Sequence, residues 1–192
     1  MTLESINQLI RNRRTVFTEF YSQEEISDEV VNSILENATW APTHKKTQPW
    51  RFIVYRSLES RQALSEMLRD NYRANTPEAD QTEIKEKKIS GRPLQAPLAI
   101  AIILCKNEDS GLPEWEEVAA LACAVQNMYL TCTGTGLGAF WSTPGLATKE
   151  RAFYNLAENE KCLGLFYAGK LKEQSPEFGS TRKDWKEVAQ IL

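Results

Sequence analysis

The sequence predicts an α+β domain, a mixed or antiparallel sheet sandwiched by helices, and three observations predict it. Four short stretches, residues 50–55, 99–104, 137–141 and 162–168, concentrate aromatic, β-branched and other apolar residues in the manner of strands. Between them lie longer segments whose apolar residues recur at helical spacing. No Pro/Gly/Ser-rich linker, repeat period or low-complexity tract divides the 192 residues, so residues 1–192 are expected to share one core as a single domain.

Leu3, Ile6, Leu9 and Ile10 fall at helical spacing, so an amphipathic helix is expected over Thr2 to Asn12. A second helix starts at Ser22, with Ser27 as a competing start, since either hydroxyl can cap. Its apolar face is Ile26, Val30, Val31, Ile34, Leu35 and Ala38, and it ends near Thr39, ahead of Pro42. Trp40 to Arg51 is then a loop whose two prolines, Pro42 and Pro49, fix φ. Trp50 to Tyr55 reads as a strand buried on at least one face, and Leu58 to Tyr72 as a helix with Leu64, Met67 and Leu68 inward.

From Arg73 to Gln95 charge thickens. Glu83, Lys85, Glu86, Lys87, Lys88 and Arg92 suit a solvated helix laced with i,i+3 and i,i+4 pairs, and such a segment beside a site can also act as a lid. Ala99 to Leu104 is nearly all apolar, hence a central strand. Trp115 to Thr133 is a long helix rich in small residues (Ala119, Ala120, Ala122, Cys123, Ala124), either the central helix or a dimer seam. Gly134, Gly136 and Gly138 follow. The order here is helix, glycines, strand, so a dinucleotide fingerprint is rejected and Gly134 is expected to cap the helix. After the strand Leu137 to Trp141 come the turn Ser142-Thr143-Pro144-Gly145, a helix over Thr148 to Ala157 and a last strand over Cys162 to Ala168. The tail, residues 170–192, ends in Val188, Ile191 and Leu192, which need burial; docking across a partner subunit is one way to provide it.

Composition narrows the function. A formal net charge of −3 argues against a general nucleic-acid binder. The apolar run from Pro97 to Cys105 is too short to span a bilayer, Met1 to Ile10 has no apolar core of a targeting signal, and the cytosol is the default compartment. Cys105, Cys123, Cys132 and Cys162 are widely spaced, with a single histidine beside them, so no metal site is expected and each cysteine is read as a reduced core thiol. No G-x-S-x-G or P-loop is present, and His44 has no nucleophile motif near it, which makes hydrolase readings weak.

What remains is a scatter of cations, hydroxyls and aromatics over the N-terminus, residues 40–51, residues 134–143 and the tail. Arg13, Arg14 and Thr15, with Arg11, suit a phosphate; equally, the arginines complement a helix dipole and face water. Such a distribution fits a phosphorylated aromatic cofactor that brings its own chemistry better than it fits a catalytic triad.

These residues together resemble the nitroreductase family of FMN-dependent oxidoreductases, most closely its compact bacterial NAD(P)H nitroreductases, from the first helix to the tail. The marks are Arg13-Arg14-Thr15 where the family has Arg-Arg-Ser, Ala41-Pro42 with Gln48-Pro49-Trp50-Arg51-Phe52 against its A-P…Q-P-W-x-F, Gly138-Ala139-Phe140-Trp141, and Gly169 at a strand end. Two positions depart from it: Phe17 stands where the family often has a further arginine, and Lys46 where it often has asparagine.

The resemblance implies a mainly antiparallel sheet between helices in an intertwined homodimer with two FMN at its interface. It implies that Arg13, Arg14 and Thr15 hold the FMN phosphate or ribityl chain, with Arg182 of the tail completing the phosphate site. Trp40 and His44 would reach the cofactor from one subunit or the other, Gln48 would sit at its edge, and Trp141, Ser142 and Thr143 would line its other side. The segment Thr131, Cys132, Thr133, Gly134, Thr135 and Gly136 is similar to one linked to nicotinamide nucleotide binding. The implied reaction is hydride transfer from NADH or NADPH to a nitroaromatic, quinone or similar small-molecule electron acceptor, with no side chain assigned as catalytic. Dehalogenation, dehydrogenation, flavin fragmentation and simple flavin storage stand as alternatives.

Overall fold

The computed structural model describes residues 2–176 and 178–192. Its architecture is set by strand β2 (Leu98–Cys105), whose sequence L-A-I-A-I-I-L-C leaves nothing to show to water and is buried along almost its whole length. β2 pairs antiparallel with β1 (Trp50–Tyr55) on one side and β4 (Glu160–Lys170) on the other. β3 (Leu137–Ser142) pairs antiparallel with the far side of β4, giving a four-stranded sheet in the order β1-β2-β4-β3. Residues alternate between its faces: Leu98, Ile100, Ile102 and Leu104 enter one core cluster, Ala99, Ala101 and Ile103 the other.

Helices α2 (Asp28–Thr39) and α6 (Glu114–Gly134) cover the first face, through Val31, Ile34 and Ala38 of α2 and Leu121, Ala124, Val125 and Met128 of α6. α3 (Leu58–Asn75) covers the second, through Leu64, Met67 and Leu68. α4 (Glu83–Ser90) and α5 (Arg92–Gln95) are fastened to α3: Arg73 grips Glu86 at 2.8 and 2.7 Å, and buried Arg61 donates to the carbonyls of Pro93 and Ala96 at 3.2 and 2.9 Å. The charged stretch 73–95 is therefore tied down at both ends. α1 (Leu3–Asn12), capped by Thr2, lies against α6.

Several expectations need correction. The second helix starts at the competing site, where the Ser27 Oγ accepts from Val30 N, because Ile26 is pulled into the core in an extended segment first. The helix expected over Thr148 to Ala157 is only the short α7 (Gly145–Thr148) followed by turns. There Glu150 Oε1 accepts from Phe153 N at 3.0 Å and Asn155 takes φ +49°, so side-chain bonding and a left-handed residue displace the helical pattern. The left-handed residue after α6 is Gly136 at φ +74°, not Gly134, which is the last helical residue. Cys123 is exposed on α6 rather than a core thiol, whereas Cys132 and Cys162 are buried and Cys105 is half-buried.

The tail also divides. Its first part is held in cis: Ser22 N donates to Lys170 O at 2.8 Å, Lys172 N to Phe20 O at 2.9 Å, and Phe178 packs edge-on against Phe20. Residues 179–192 then run exposed.

Candidate functional site

The segment from Arg13 to Tyr21 forms an arm laid along the free edge of the sheet. Thr15 bridges Ala139 of β3, and Val16 N donates to Ala139 O at 2.9 Å. Tyr21 anchors the far end, its hydroxyl donating to Val16 O at 2.6 Å; burial pushes that hydroxyl's pKa well up, so it keeps the proton it donates. Two glycines make room for the ring. Gly138 and Gly169 face each other across β3 and β4, and a Cβ on either would come within 2.8 Å of Tyr21 ring atoms.

This arm brings Arg13, Arg14, Thr15 and Arg182 together around a cavity of about 380 Å³, closed by Phe178, Gly179 and Ser180. Arg13 sets its guanidinium over the Tyr129 ring, 5.1 Å from the centroid. Arg14 is locked by carbonyls: Nε donates to Phe178 O at 2.8 Å, and Nη1 to Arg13 O at 3.0 Å and also to Arg11 O. Arg182 donates to Thr181 O at 2.7 Å and to the Ser180 hydroxyl. Among the described residues none of the three guanidiniums has a carboxylate partner. Three uncompensated cations with two hydroxyls at hand are complementary to a dianionic phosphate.

β3 carries the neighbouring predicted residues. Trp141 is half-buried on the α6 side, where its N–H donates to the Tyr129 hydroxyl at 2.7 Å and its indole N–H to Leu163 O at 3.1 Å. Ser142 is buried and accepts a 2.8 Å bond from Arg92 Nη1, while Thr143 is exposed just beyond the strand. Gly164 permits this packing: at φ +124°, a Cβ there would lie 2.4 Å from Ser142 O and 3.0 Å from the Trp141 indole nitrogen.

The loop between α2 and β1 carries His44 and Gln48 to a different place. His44 Nδ1 meets Glu116 Oε2 at 2.6 Å near the start of α6, and Lys45 Nζ donates to Ser110 O at 2.7 Å. Lys45, Lys46 and Gln48 all have positive φ (52°, 55° and 47°), a concentration of strained non-glycine residues of the sort that clusters at ligand sites. Within one chain this loop and the arginine arm lie at opposite ends of α6, about 20 Å apart at the α-helical rise between Glu116 and Tyr129. Trp40, 79% exposed, instead borders a groove of about 560 Å³ with Leu9, Thr131, Gly134 and Thr135. So Trp40 is joined to the Thr131–Gly136 segment and not to the arginine cradle. In that segment Cys132 is buried, its thiol pushed up to about 12 by desolvation, so it packs rather than binds.

Tyr129, Phe178 and Arg92 take part in this site without having been assigned to it from the sequence. Tyr129 lies within the apolar pattern of α6 and Phe178 in a tail with no periodicity, so spacing gave neither away. Arg92 was visible only as one charge in a charged run.

With that geometry in place, comparison with known proteins becomes specific. A family model described as the nitroreductase family matches residues 10–170. An Escherichia coli (strain K12) relative named "Putative NAD(P)H nitroreductase YdjA" is 29% identical over 164 residues, 84% of this chain and 86% of that one. The solved structure of a nitroreductase-like family protein from Bacillus cereus superposes with a TM-score of 0.82 at 25% identity, covering 100% of this chain and 98% of the other. A Desulfovibrio desulfuricans structure in complex with FMN gives a TM-score of 0.73 at 25% identity, with coverages of 100% and 98%.

Proposed function

The chain belongs to the nitroreductase family, and from that premise we propose that it is an FMN-dependent oxidoreductase working in the cytosol. It takes hydride from NADH or NADPH and passes it, in a ping-pong cycle, to a nitroaromatic, a quinone or a similar flat acceptor. The observation that carries this reading is the cradle of three guanidiniums without carboxylate partners on the Arg13–Tyr21 arm. The FMN in the Desulfovibrio desulfuricans relative and the NAD(P)H in the name of the Escherichia coli one support it.

FMN, when bound, supplies the two-electron chemistry. Arg13, Arg14 and Arg182 hold its phosphate, and Thr15 adds a hydroxyl at the same end. Trp141, Ser142 and Thr143 line its side along β3. Trp40, His44 and Gln48, remote from the arm in one chain, would meet the same cofactor from a second subunit packed along α6, where Ala119, Ala122, Cys123 and Gln126 are exposed. Thr131–Gly136, beside Trp40, forms the approach for the nicotinamide nucleotide. Catalysis by this chain is then positioning: reacting atoms must be held within about 3–3.5 Å, and no side chain need exchange a proton. Four free cysteines are in keeping with a reducing compartment.

The test is a titration of FMN into purified protein. The wild type is expected to take up FMN and turn yellow, and Arg13→Ala/Arg14→Ala to bind it at least about tenfold more weakly, as the loss of charge-assisted hydrogen bonds implies. Unchanged affinity in the double variant would contradict the cradle. Adding NADH or NADPH under nitrogen should then bleach the bound flavin; a yellow protein that neither nucleotide bleaches sinks the reductase reading and leaves the binding site standing.

A further inference from the structure

Helix α3 begins beside a cleft of about 330 Å³ that shares no lining residue with the arginine cradle or the Trp40 groove. Its walls come from the extended segment before α2 and from the chain just after β1 and just before β2, with Ile26, Leu58 and Pro97 as the apolar side. None of its lining residues is assigned to FMN or to the nicotinamide nucleotide.

Arg61 stands out in this wall. Only 9% of it is exposed, yet it has no carboxylate partner among the described residues. Its Nη1 is spent on the carbonyls of Pro93, Leu94 and Ala96, at 3.2, 3.4 and 2.9 Å. Nε is buried with no hydrogen-bond partner, and Nη2 has none among the described residues either. Nε and Nη2 form the edge of a guanidinium whose two parallel N–H groups match the two oxygens of a carboxylate. Burial lowers the pKa of this side chain, and no neighbouring anion raises it. A buried charge without a counter-charge is costly, so the free edge favours a ligand that supplies one.

The start of α3 adds donors at the same place. Ser57 Oγ accepts from Ser60 N at 3.1 Å and caps the 18-residue helix, but the amides of Leu58 and Glu59 have no acceptor among the described residues. With the helix dipole behind them, such amides attract an anion. The other wall residues limit its charge. Arg56 is already paired with Asp28 and donates to Ile26 O at 2.6 Å, while Glu25 is exposed and has no ion-pair partner among the described residues. A singly charged ligand therefore fits better than a dianion, and Leu58 and Pro97 offer its apolar part a surface.

We propose that this cleft binds a small aliphatic monocarboxylate, with the carboxylate between Arg61 and the first amides of α3 and the alkyl chain along Leu58 and Pro97. The site stands independently of the oxidoreductase reading.

The test is an NMR titration of isotope-labelled protein with FMN present, so that the arginine cradle does not compete for the probes. Butyrate is expected to shift the Leu58 and Glu59 amide signals and the Arg61 Nε–H signal saturably. It should bind about tenfold more tightly than butyramide, the worth of one charge-assisted hydrogen bond. Leu58→Glu places a carboxylate at the first position of α3, which is 58% exposed and where an acid suits the helix, so the fold is kept and butyrate affinity should fall at least about fivefold. Glu25→Gln should raise that affinity about two- to threefold. Arg61→Lys keeps the charge but removes the Nε–Nη2 edge, and should abolish the preference over butyramide; if it does not fold, Leu58→Glu decides. Equal binding of butyrate and butyramide overturns the proposal, as do an unchanged butyrate affinity in Leu58→Glu and shifts confined to residues outside the cleft. Inorganic phosphate bound more tightly than butyrate at these same signals also overturns it, since the ligand would then be a dianion.

Discussion

Glu160 shows how one residue can join three elements. Its carboxylate accepts from Arg51 at 2.7 and 2.6 Å, from Ala157 N at 2.9 Å and from the Cys105 thiol at 3.2 Å, and only 12% of its side chain is exposed. The Arg51 hydrogen bonds, and after them the Ala157 N–H, hold its pKa down at about 2, while burial and the same carboxylate push the Cys105 thiol up to about 12. A carboxylate depressed in the folded state stabilises the protein above its unfolded pKa near 4.5, and that contribution is lost as pH falls from about 5 toward 2. Urea unfolding should show a loss on the order of 2 kcal/mol across that window in wild type and a much smaller one in Glu160→Gln. Equal acid sensitivity in the two proteins would contradict the assignment. Nothing in the sequence announced this cluster, because its members stand 51, 105 and 160 residues along the chain and only strand pairing collects them.

At the scale of elements, the arm from Arg13 to Tyr21 is what carries the arginines along the sheet edge to a cavity shared with Arg182. Arginines at a helix end were legible as cations; their use was not, since the macrodipole reading fitted them as well. What the structure adds is their placement: the Tyr21 anchor holds the arm on β3 because Gly138 and Gly169 leave space for its ring. Gly169→Ala would put a methyl group 2.7 Å from the Tyr21 ring, and overpacking of this kind costs about 1–3 kcal/mol. Denaturant unfolding should report that loss, together with weaker FMN uptake as the arm shifts. Gly145→Ala, where only the Lys149 Cε comes within 4.0 Å, should change stability by less than about 0.5 kcal/mol. A silent Gly169→Ala would mean that Tyr21 does not position the arm.

The whole molecule is a sheet with one helical layer on each face, and its α6 has two faces of its own. Leu121, Ala124, Val125 and Met128 are buried in the core, whereas Ala119, Ala122, Cys123 and Gln126 are exposed between Trp115 and Trp40, themselves 68% and 79% exposed. Ile191 and Leu192 at the chain end are exposed as well. In the proposed assembly a second copy packed along α6 would cover this surface, receive the tail and bring His44 and Gln48 to the partner's cradle. Sedimentation should therefore give a particle of twice the chain mass, and Ala122→Glu should shift it toward monomer while weakening FMN binding. A wild-type monomer with full FMN affinity would refute that assembly. The sequence by itself determined the element types, the buried central strand and the kinds of groups available for a phosphate, because hydrophobic period and residue chemistry are local properties. The placing of Arg182 beside Arg13 and Arg14 was implied by the family resemblance and by no local pattern; tertiary structure alone decided that Trp40 and His44 lie away from that cradle within one chain and that Arg92 and Phe17 line one cavity, because those distances depend on strand order and on where the chain folds back.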